Sequence, residues 1–171
     1  MTNILTRKNS HLIHALPTNG IYSLVVFLSK EIRLKVGKLG HQKFLAGYYA
    51  YTGSALGIGA SNLKQRISRH LKKKKRNFWH IDFLLANEEA TLTTVVAAQT
   101  HQELECKLNS FLKTEEKAKI PAKGFGASDC KKNCESHLLF FPYITEESVL
   151  VQKIVRGYEV LGLTPMSQSA R

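Results

Sequence analysis

The 171-residue chain is 43% hydrophobic and 22% charged, which is typical of a globular protein with one core and short for two domains. No apolar run has the length of a membrane span, and the N-terminus lacks the basic and then apolar pattern of a signal peptide. Three cysteines do not indicate a secreted disulfide framework, so we expect a cytoplasmic protein with no membrane partner, most simply a monomer.

The formal net charge of +12 is concentrated in one segment of the chain. Residues 32 to 81 contain twelve Lys and Arg side chains and no Asp or Glu, whereas the other residues carry thirteen basic and thirteen acidic side chains. A positive field concentrated in this way favours a polyanionic partner, usually nucleic acid, with a solvated basic surface as the alternative. The side chains predicted to contact nucleic acid are Lys64, Arg69, Lys72, Lys73, Lys74, Lys75 and Arg76.

The first third of the chain predicts three strands. Residues 1 to 18 have no sustained period and are expected to form an arm or a short extra element. The apolar run Gly20–Leu28 predicts the first strand, and apolar residues alternate with polar ones from Ile32 to Val36 in the second. The aromatic run from Phe44 to Gly53 predicts the third. Because the connections are short, these strands should pair antiparallel.

The rest of the chain alternates between helical periodicity and β-branched runs. The predicted helices cover about 61–73, 78–86, 101–114 and 146–161, and the predicted strands about 91–98 and 137–141. The last residues predict an irregular, mobile end. This order indicates an α/β fold of the α+β type, a small, mainly antiparallel central sheet flanked by helices. We expect an arm at 1–18, a domain at 19–142, and a C-terminal helix and tail at 143–171 that packs on the domain or trails it.

A tyrosine-rich strand, a glycine loop and a basic helix follow one another between Tyr48 and His70. Gly57 and Gly59 allow either a plain turn or a close approach of the backbone to a ligand. The N–H groups at the start of the following helix would attract a phosphate. A tyrosine at the end of the strand facing a helical arginine could hold that phosphate.

Three short segments form an ordered set: Gly20-Ile21-Tyr22, Tyr51-Thr52-Gly53 and Leu63 to Arg66. This set resembles the signature of the GIY-YIG nuclease superfamily. The amino-acid sequence of residues 44–55, 79–82 and 125–130 is similar to that of one branch of the superfamily, labelled domain of unknown function (number 123). The resemblance covers residues 20–142. It implies a GIY-YIG endonuclease-like fold and a metal-dependent endonuclease that hydrolyses DNA phosphodiester bonds in DNA repair or processing.

The resemblance also implies roles for the residues that match. Glu105 would hold one Mg²⁺ or Mn²⁺ ion, with Glu103 as the rival carboxylate on a different face of the helix. Tyr51 would act on the nucleophilic water as the general base. Because a free phenol titrates near pH ~10, Tyr51 would need nearby cations to do so. Arg66 would hold two phosphate oxygens through its planar guanidinium.

The remaining candidate residues surround this set. Tyr22 would orient water or phosphate through its hydroxyl, with a buried core tyrosine as the alternative. His70, one helical turn after the arginine, would relay a proton, touch phosphate or serve the structure. Ser54, His80 and Asp82 are expected around the site rather than at its centre.

One departure from the family pattern favours a different function. Many relatives carry a lysine directly after the glycine of the second motif, where this chain has Ser54. Without that cation the tyrosine is harder to activate. The alternative function is therefore a nucleic-acid-binding module on the same fold that has lost catalysis.

A separate cluster raises the question of a second metal. Cys130, Cys134 and His137 have a spacing compatible with structural zinc, with Cys106 or Asp129 as a fourth ligand. The cluster is compact, and no second Cys or His pair accompanies it. We therefore expect reduced cysteines in a capped turn, structural zinc to be unlikely, and one Mg²⁺ or Mn²⁺ ion as the cofactor.

Overall fold

The computed structural model describes the backbone of residues 7–171 and the side chains from Asn9 onward. Helical and extended segments alternate along this part of the chain, with short 3₁₀ turns at Gly37–Leu39 and Gly59–Ser61. The α-helices are α1 (Arg7–Ala15), α2 (Leu63–Leu71), α3 (His80–Ala86), α4 (Glu105–Thr114) and α5 (Glu147–Val160). The strands are β1 (Gly20–Leu28), β2 (Ile32–Lys35), β3 (His41–Phe44), β4 (Gly47–Ala55), β5 (Ala90–Gln99), β6 (Leu138–Phe141) and β7 (Met166–Ser169).

The central sheet has five strands in the order β6-β4-β1-β5-β7, and β2 and β3 form a separate two-stranded sheet. All the strand pairs are antiparallel. β1 lies in the middle of the sheet, which explains its uninterrupted apolar sequence, because a central strand is buried on both faces. The predicted α/β fold with an antiparallel central sheet is confirmed.

Each face of the sheet carries its own core, because successive side chains of β1 point to opposite faces. Tyr22 and Leu24 pack with residues of α1, α2 and α3. Ile21 and Val25 pack on the other face with residues of α4 and α5. The register places the start of β1 beside the ends of β4 and β5. The chain enters α4 a few residues after β5, so the first turn of α4 reaches the same end of the sheet as the tyrosines.

The predicted third strand is divided in the structure. Phe44 ends β3, which pairs with β2, and β4 begins three residues later at Gly47. The backbone of Gly47 has a φ of +130°, a conformation that glycine adopts readily and that other residues avoid. The aromatic residues on both sides suit strands equally well, so their pattern concealed the break.

The two ends of the described chain are more regular than the sequence suggested. Residues 7–15 of the expected arm form α1, and Leu12 is buried in the core; residues 1–6 of that arm lie outside the described residues. The prediction of an irregular, mobile C-terminus is wrong for Met166–Ser169, which pairs with β5 and extends the sheet. In the part of the chain that the structure describes, no helix is long and apolar enough to cross a membrane.

Candidate active site

A cavity of about 550 Å³ opens where the start of β1 meets the end of β4. Four elements contribute predicted site residues to its wall: Tyr22 from β1, Tyr51 from β4, Arg66 from α2 and Glu105 from α4. These residues are far apart in the sequence, and the antiparallel pairing of β1 with β4 brings the two tyrosine motifs side by side. The cavity therefore gathers the central residues of the predicted site.

Glycines make room for both tyrosine rings. A Cβ atom added at Gly53 would lie 2.6 Å from the hydroxyl oxygen of Tyr22, which is opposite it in the β1–β4 register. A Cβ atom at Gly126, whose φ is +69°, would lie 2.7 Å from a ring carbon of Tyr51. The second motif thus needs its glycine because the ring of the first motif lies across that position.

Both phenols are buried, and burial raises their pKa values, that of Tyr51 to about 12. The positive charge of Arg66 lowers the pKa of both phenols, but this effect is smaller than that of desolvation. At neutral pH the two tyrosines therefore carry their protons in the absence of a further cation. They are hydrogen-bond donors in this state.

His70 lies behind Tyr22 rather than in the cavity wall. Its side chain is buried, and its Nε2 atom is 3.0 Å from the hydroxyl of Tyr22. Burial lowers the pKa of His70 to about 3, so the ring is neutral at physiological pH. Its Nδ1 atom is 3.9 Å from a carboxylate oxygen of Asp82. His70 can therefore influence the cavity through Tyr22, and it does not line the cavity itself.

Asp82 is fully buried and holds the start of α3 in place. One of its carboxylate oxygens accepts hydrogen bonds from the backbone N–H groups of Phe78 and Trp79, at 3.0 and 3.1 Å, and from Arg69 at 2.8 Å. Lys75 lies 3.3 Å from the other oxygen. Desolvation opposes ionisation, but these donors outweigh it and lower the pKa of Asp82. Asp82 therefore lies beside the cavity rather than in its wall, and its predicted supporting role stays a prediction.

Arg66 is oriented by the backbone that follows the second motif. Its guanidinium donates a hydrogen bond to the carbonyl oxygen of Ser54 at 2.6 Å and lies 5.1 Å from the centre of the Trp79 ring. The guanidinium of Arg69 also lies 5.0 Å from that ring centre. Cation–π contacts of this kind hold a guanidinium without neutralising it. Arg66 therefore presents a positive charge to the cavity in a defined orientation.

Glu105 begins α4, and one of its carboxylate oxygens is buried with no hydrogen-bond partner among residues 7–171. Its rival, Glu103, also lines the cavity but is exposed to solvent. A buried carboxylate oxygen without a partner is costly, and a bound cation would satisfy it. The residues present therefore fit a hard divalent cation at Glu105, and the predicted cation site stays a prediction.

His80 lines the cavity beside the two tyrosines. Its Nδ1 atom accepts a hydrogen bond from the backbone N–H of Gly126 at 2.9 Å. Because a neutral imidazole carries one proton, that proton must be on Nε2, which makes His80 a donor at its other nitrogen. Burial lowers the pKa of His80 and keeps the ring neutral.

The predicted basic surface is divided by the fold. Lys75 is drawn inward by Asp82, and Lys73 donates to backbone carbonyls that follow α3, including that of Ala90 at 2.6 Å. Arg69 is engaged by Asp82, and Lys64 lies 3.3 Å from the carbonyl oxygen of His14. The exposed members of the predicted set are Lys72, Lys73, Lys74 and Arg76, and of these Lys73 directs its ammonium group at backbone carbonyls.

Several side chains of the cavity wall were not selected from the sequence, and three of them are of chemical interest. Lys131 and Lys132 line the cavity from the loop that follows Cys130, and Phe78 lines it with 75% of its surface exposed. The sequence does contain a signal for the lysines, because they interrupt the cysteine cluster. An exposed aromatic residue next to Trp79 could not be separated from a core residue by pattern alone.

A family model described as Domain of unknown function DUF123 matches residues 21–160. The chain belongs to this family. The DUF123 region contains every side chain placed at the cavity above, whereas α1 and β7 lie outside it. Comparisons with curated proteins and with solved structures give no match.

The expectation that structural zinc is unlikely in this DUF123 protein is wrong. The ligand atoms of Cys106, Cys130, Cys134 and His137 all lie within 4.8 Å of one another, in a partly buried cluster at the cavity wall. The fourth member is Cys106 rather than Asp129. Sequence spacing grouped three of the four members and left the fourth open between Cys106 and Asp129, because Cys106 belongs to a different element and joins the other three through tertiary packing.

Proposed function

We propose that this DUF123 protein is a divalent-cation-dependent endonuclease that hydrolyses DNA phosphodiester bonds. The observation that carries the proposal is the convergence of Tyr22, Tyr51, Arg66 and Glu105 on one cavity. This combination supplies a carboxylate for a hard cation, a guanidinium for the phosphate and two phenols for the attacking water. The resemblance of the two tyrosine motifs to the GIY-YIG superfamily supports the same reaction.

Glu105 would hold the cation, Mg²⁺ or Mn²⁺, through its unpartnered buried oxygen. When bound, such an ion acts as a Lewis acid on the phosphate and makes a coordinated water more acidic. Arg66 contributes charge that stabilises the more negative transition state, because its position is fixed in advance by Ser54 and Trp79. Glu105 and Arg66 line the same cavity from different helices, and we place the phosphate between them.

The role of Tyr22 follows from its partner. The negative charge of Asp82 favours the His70 tautomer with its proton on Nδ1, which leaves Nε2 to accept the Tyr22 hydroxyl proton. The lone pairs of the Tyr22 oxygen then remain available to accept a hydrogen bond from water. Tyr51 supplies the second buried phenol of the cavity. Once it has lost its own proton, it would accept a proton from the attacking water.

DNA is the proposed partner, and charge supports this choice. The exposed Lys72, Lys74 and Arg76 follow α2, while Lys131 and Lys132 border the cavity itself. Each phosphate contact releases counterions, so affinity should fall by several orders of magnitude between low and moderate salt if about six or more phosphates are bound. Binding that does not change with salt would contradict this electrostatic contribution.

A cleavage assay on labelled DNA structures tests the proposal. Single strands, duplexes, flaps and branched junctions would be incubated with Mg²⁺ or Mn²⁺ and the wild-type protein or the Tyr51→Phe, Arg66→Ala and Glu105→Gln variants. Glu103→Gln is the matched control, because it removes an exposed carboxylate from the same cavity. We expect cleavage by the wild type and the control only. Equal cleavage by Glu105→Gln would overturn the assignment of the cation site.

A second candidate function is a nucleic-acid-binding module without turnover. Two observations favour it: Arg66 already donates to the Ser54 carbonyl, and the pKa of Tyr51 is raised rather than lowered. For this function, no DNA structure would be cleaved with either cation. Salt-sensitive binding would then be equal in the wild type and Glu105→Gln.

A further inference from the structure

The cysteine and histidine cluster brings together two segments that flank the cavity. Cys106 lies in the first turn of α4, and the other three members belong to the loop that leads into β6. The sulfur of Cys106 is 3.5 Å from that of Cys130 and 3.8 Å from Nε2 of His137. All three cysteines of the chain are in this cluster.

The two distances from the Cys106 sulfur are close to the edges of a tetrahedron around one zinc ion, and all four ligand atoms lie within 4.8 Å of one another. With Zn–S bonds of ~2.3 Å and a Zn–N bond of ~2.0 Å, tetrahedral geometry requires about 3.8 Å between two sulfurs and about 3.5 Å between sulfur and nitrogen. The two measured distances agree with these values to within about 0.3 Å. Three thiolates and one imidazole are also a ligand set that structural zinc commonly uses.

The loop between the cysteines is shaped to present its sulfurs. Asn133 has a φ of +54°, a left-handed conformation that asparagine tolerates better than most residues, and it turns the chain back between Cys130 and Cys134. The backbone N–H groups of Cys134 and Lys132 point at the sulfur of Cys130. N–H groups in this position would donate hydrogen bonds to a metal-bound thiolate.

Ordinary core packing and disulfide formation explain the cluster less well. The separation of the Cys106 and Cys130 sulfurs exceeds the ~2.0 Å of a disulfide bond, and all three cysteines are free. A disulfide would leave one thiol and the imidazole of His137 without a role. An apolar core has no need of an imidazole nitrogen aimed at a thiol.

We propose that Cys106, Cys130, Cys134 and His137 bind one zinc ion in a closed structural site. The ion fastens the first turn of α4 to the loop that forms one wall of the cavity. His137 extends this connection to β4, because its carbonyl oxygen accepts a hydrogen bond from the backbone N–H of Thr52 at 3.0 Å. The zinc centre therefore joins three of the segments that carry the cavity.

One consequence concerns Glu105, which directly precedes Cys106. Fastening Cys106 fixes the turn from which the Glu105 carboxylate enters the cavity. Loss of zinc should therefore weaken the second cation site as well. This consequence rests on the proposed function, whereas the zinc site itself does not.

Metal analysis of the 171-residue protein, purified under reducing conditions after expression in zinc-supplemented medium, tests the site. We expect about one zinc per chain, and cobalt exchanged into the site should give the intense visible bands of tetrahedral thiolate coordination. Cys134→Ser and His137→Gln should each lose stoichiometric zinc, whereas Glu105→Gln and the exposed His101→Gln should keep it. Wild-type protein without zinc, or with iron in its place, would overturn the proposal.

A second measurement uses the wild-type protein, so it tests the zinc site even when the variants fail to fold. In the wild type, the three thiols should react slowly with a thiol reagent until a chelator removes the metal, and fast from the start if no zinc is bound. Zinc content and DNA cleavage also separate the two proposals. Stoichiometric zinc without cleavage would refute the nuclease proposal and support the zinc site. Cleavage without zinc would support the nuclease proposal and refute the zinc site.

Discussion

The hydroxyl of Tyr22 lies 3.0 Å from Nε2 of His70, and this contact joins the first tyrosine motif to the basic helix. Neither group can be fully solvated, because Tyr22 is 2% exposed and His70 is 3% exposed. His70 must then stay neutral, since protonation would remove its acceptor nitrogen and place a charge in the core. The contact therefore makes the protein sensitive to acid.

Stability should fall as the pH is lowered from about 6.5 towards 3. The pKa of His70 is about 3 when folded, against 6.5 for the free side chain, so the unfolded chain binds more protons over this interval. The contribution of His70 is at most about 1.4 kcal/mol per pH unit, and the lowered pKa values of His80 and His137 add to it. Urea unfolding at several pH values measures the slope.

The matched pair for this measurement is His70→Gln and His101→Gln. The first variant should show a flatter dependence of unfolding free energy on pH, because one group that resists protonation has been removed. The second replaces an exposed histidine and should keep the wild-type slope. Equal slopes in all three proteins would show that His70 does not govern the acid response.

Gly126→Ala should destabilise the fold and displace Tyr51. The new methyl group would lie 2.7 Å from the ring of Tyr51, at a backbone φ of +69°. Gly40→Ala provides the control, because its φ is +71° and an added Cβ would meet no described atom within 4 Å. Strain alone should cost both variants about 1 kcal/mol, and the clash should cost Gly126→Ala about 1–3 kcal/mol more. Similar unfolding free energies for the two variants would contradict the crowding of Tyr51.

The rate of DNA cleavage, if the proposed function holds, should increase with pH. The pKa of Tyr51 is raised to about 12, so the fraction of phenolate grows about tenfold for each pH unit below that value. The logarithm of the single-turnover rate should therefore rise with a slope of about one when Tyr51 is the base. The residual activity of Tyr51→Phe should lack this slope, and a wild-type profile that is flat would exclude Tyr51 as the base.

Phe78→Ala should weaken binding to single-stranded DNA with little effect on stability. The ring is 75% exposed at the cavity wall, where an unpaired base could stack on it. Stacking of this kind is worth about 1–3 kcal/mol, so affinity should drop by roughly five- to 150-fold. Ile58→Ala, at a residue that is 94% exposed and does not line the cavity, is the control. An equal effect of both substitutions on affinity would rule out stacking.

The elements of the central sheet were predictable because their signals are local. β1 matches the predicted strand Gly20–Leu28 throughout, since an apolar run of that length suits a strand buried on both faces. The start of β4 was not predictable, because Phe44 and Tyr48 suit strands on either side of the turn at Gly47. The strand β7 was missed because polar residues at a sheet edge carry no period that a short segment can show.

The sequence located the charged residues but did not predict which of their side chains are exposed. The excess of basic residues does lie in the segment 32–81, but Lys75 and Arg69 turn towards Asp82 and are partly removed from the surface. The sequence of a lysine run does not show which lysine will contact a buried carboxylate. That choice depends on the position of α3, which is decided by packing rather than by neighbours in the chain.

The sequence by itself determined most of the strands and helices, though not α1, the break before β4 or β7, and it determined the residues that carry the two tyrosine motifs, because periodicity and motif sequence are local properties. Only the tertiary structure decided which distant groups meet. It placed Glu105 rather than Glu103 with a buried oxygen at the cavity, and it supplied Cys106 as the fourth member of the metal cluster. Both outcomes depend on where the first turn of α4 packs against the loop before β6, which is a long-range contact that no spacing along the chain records.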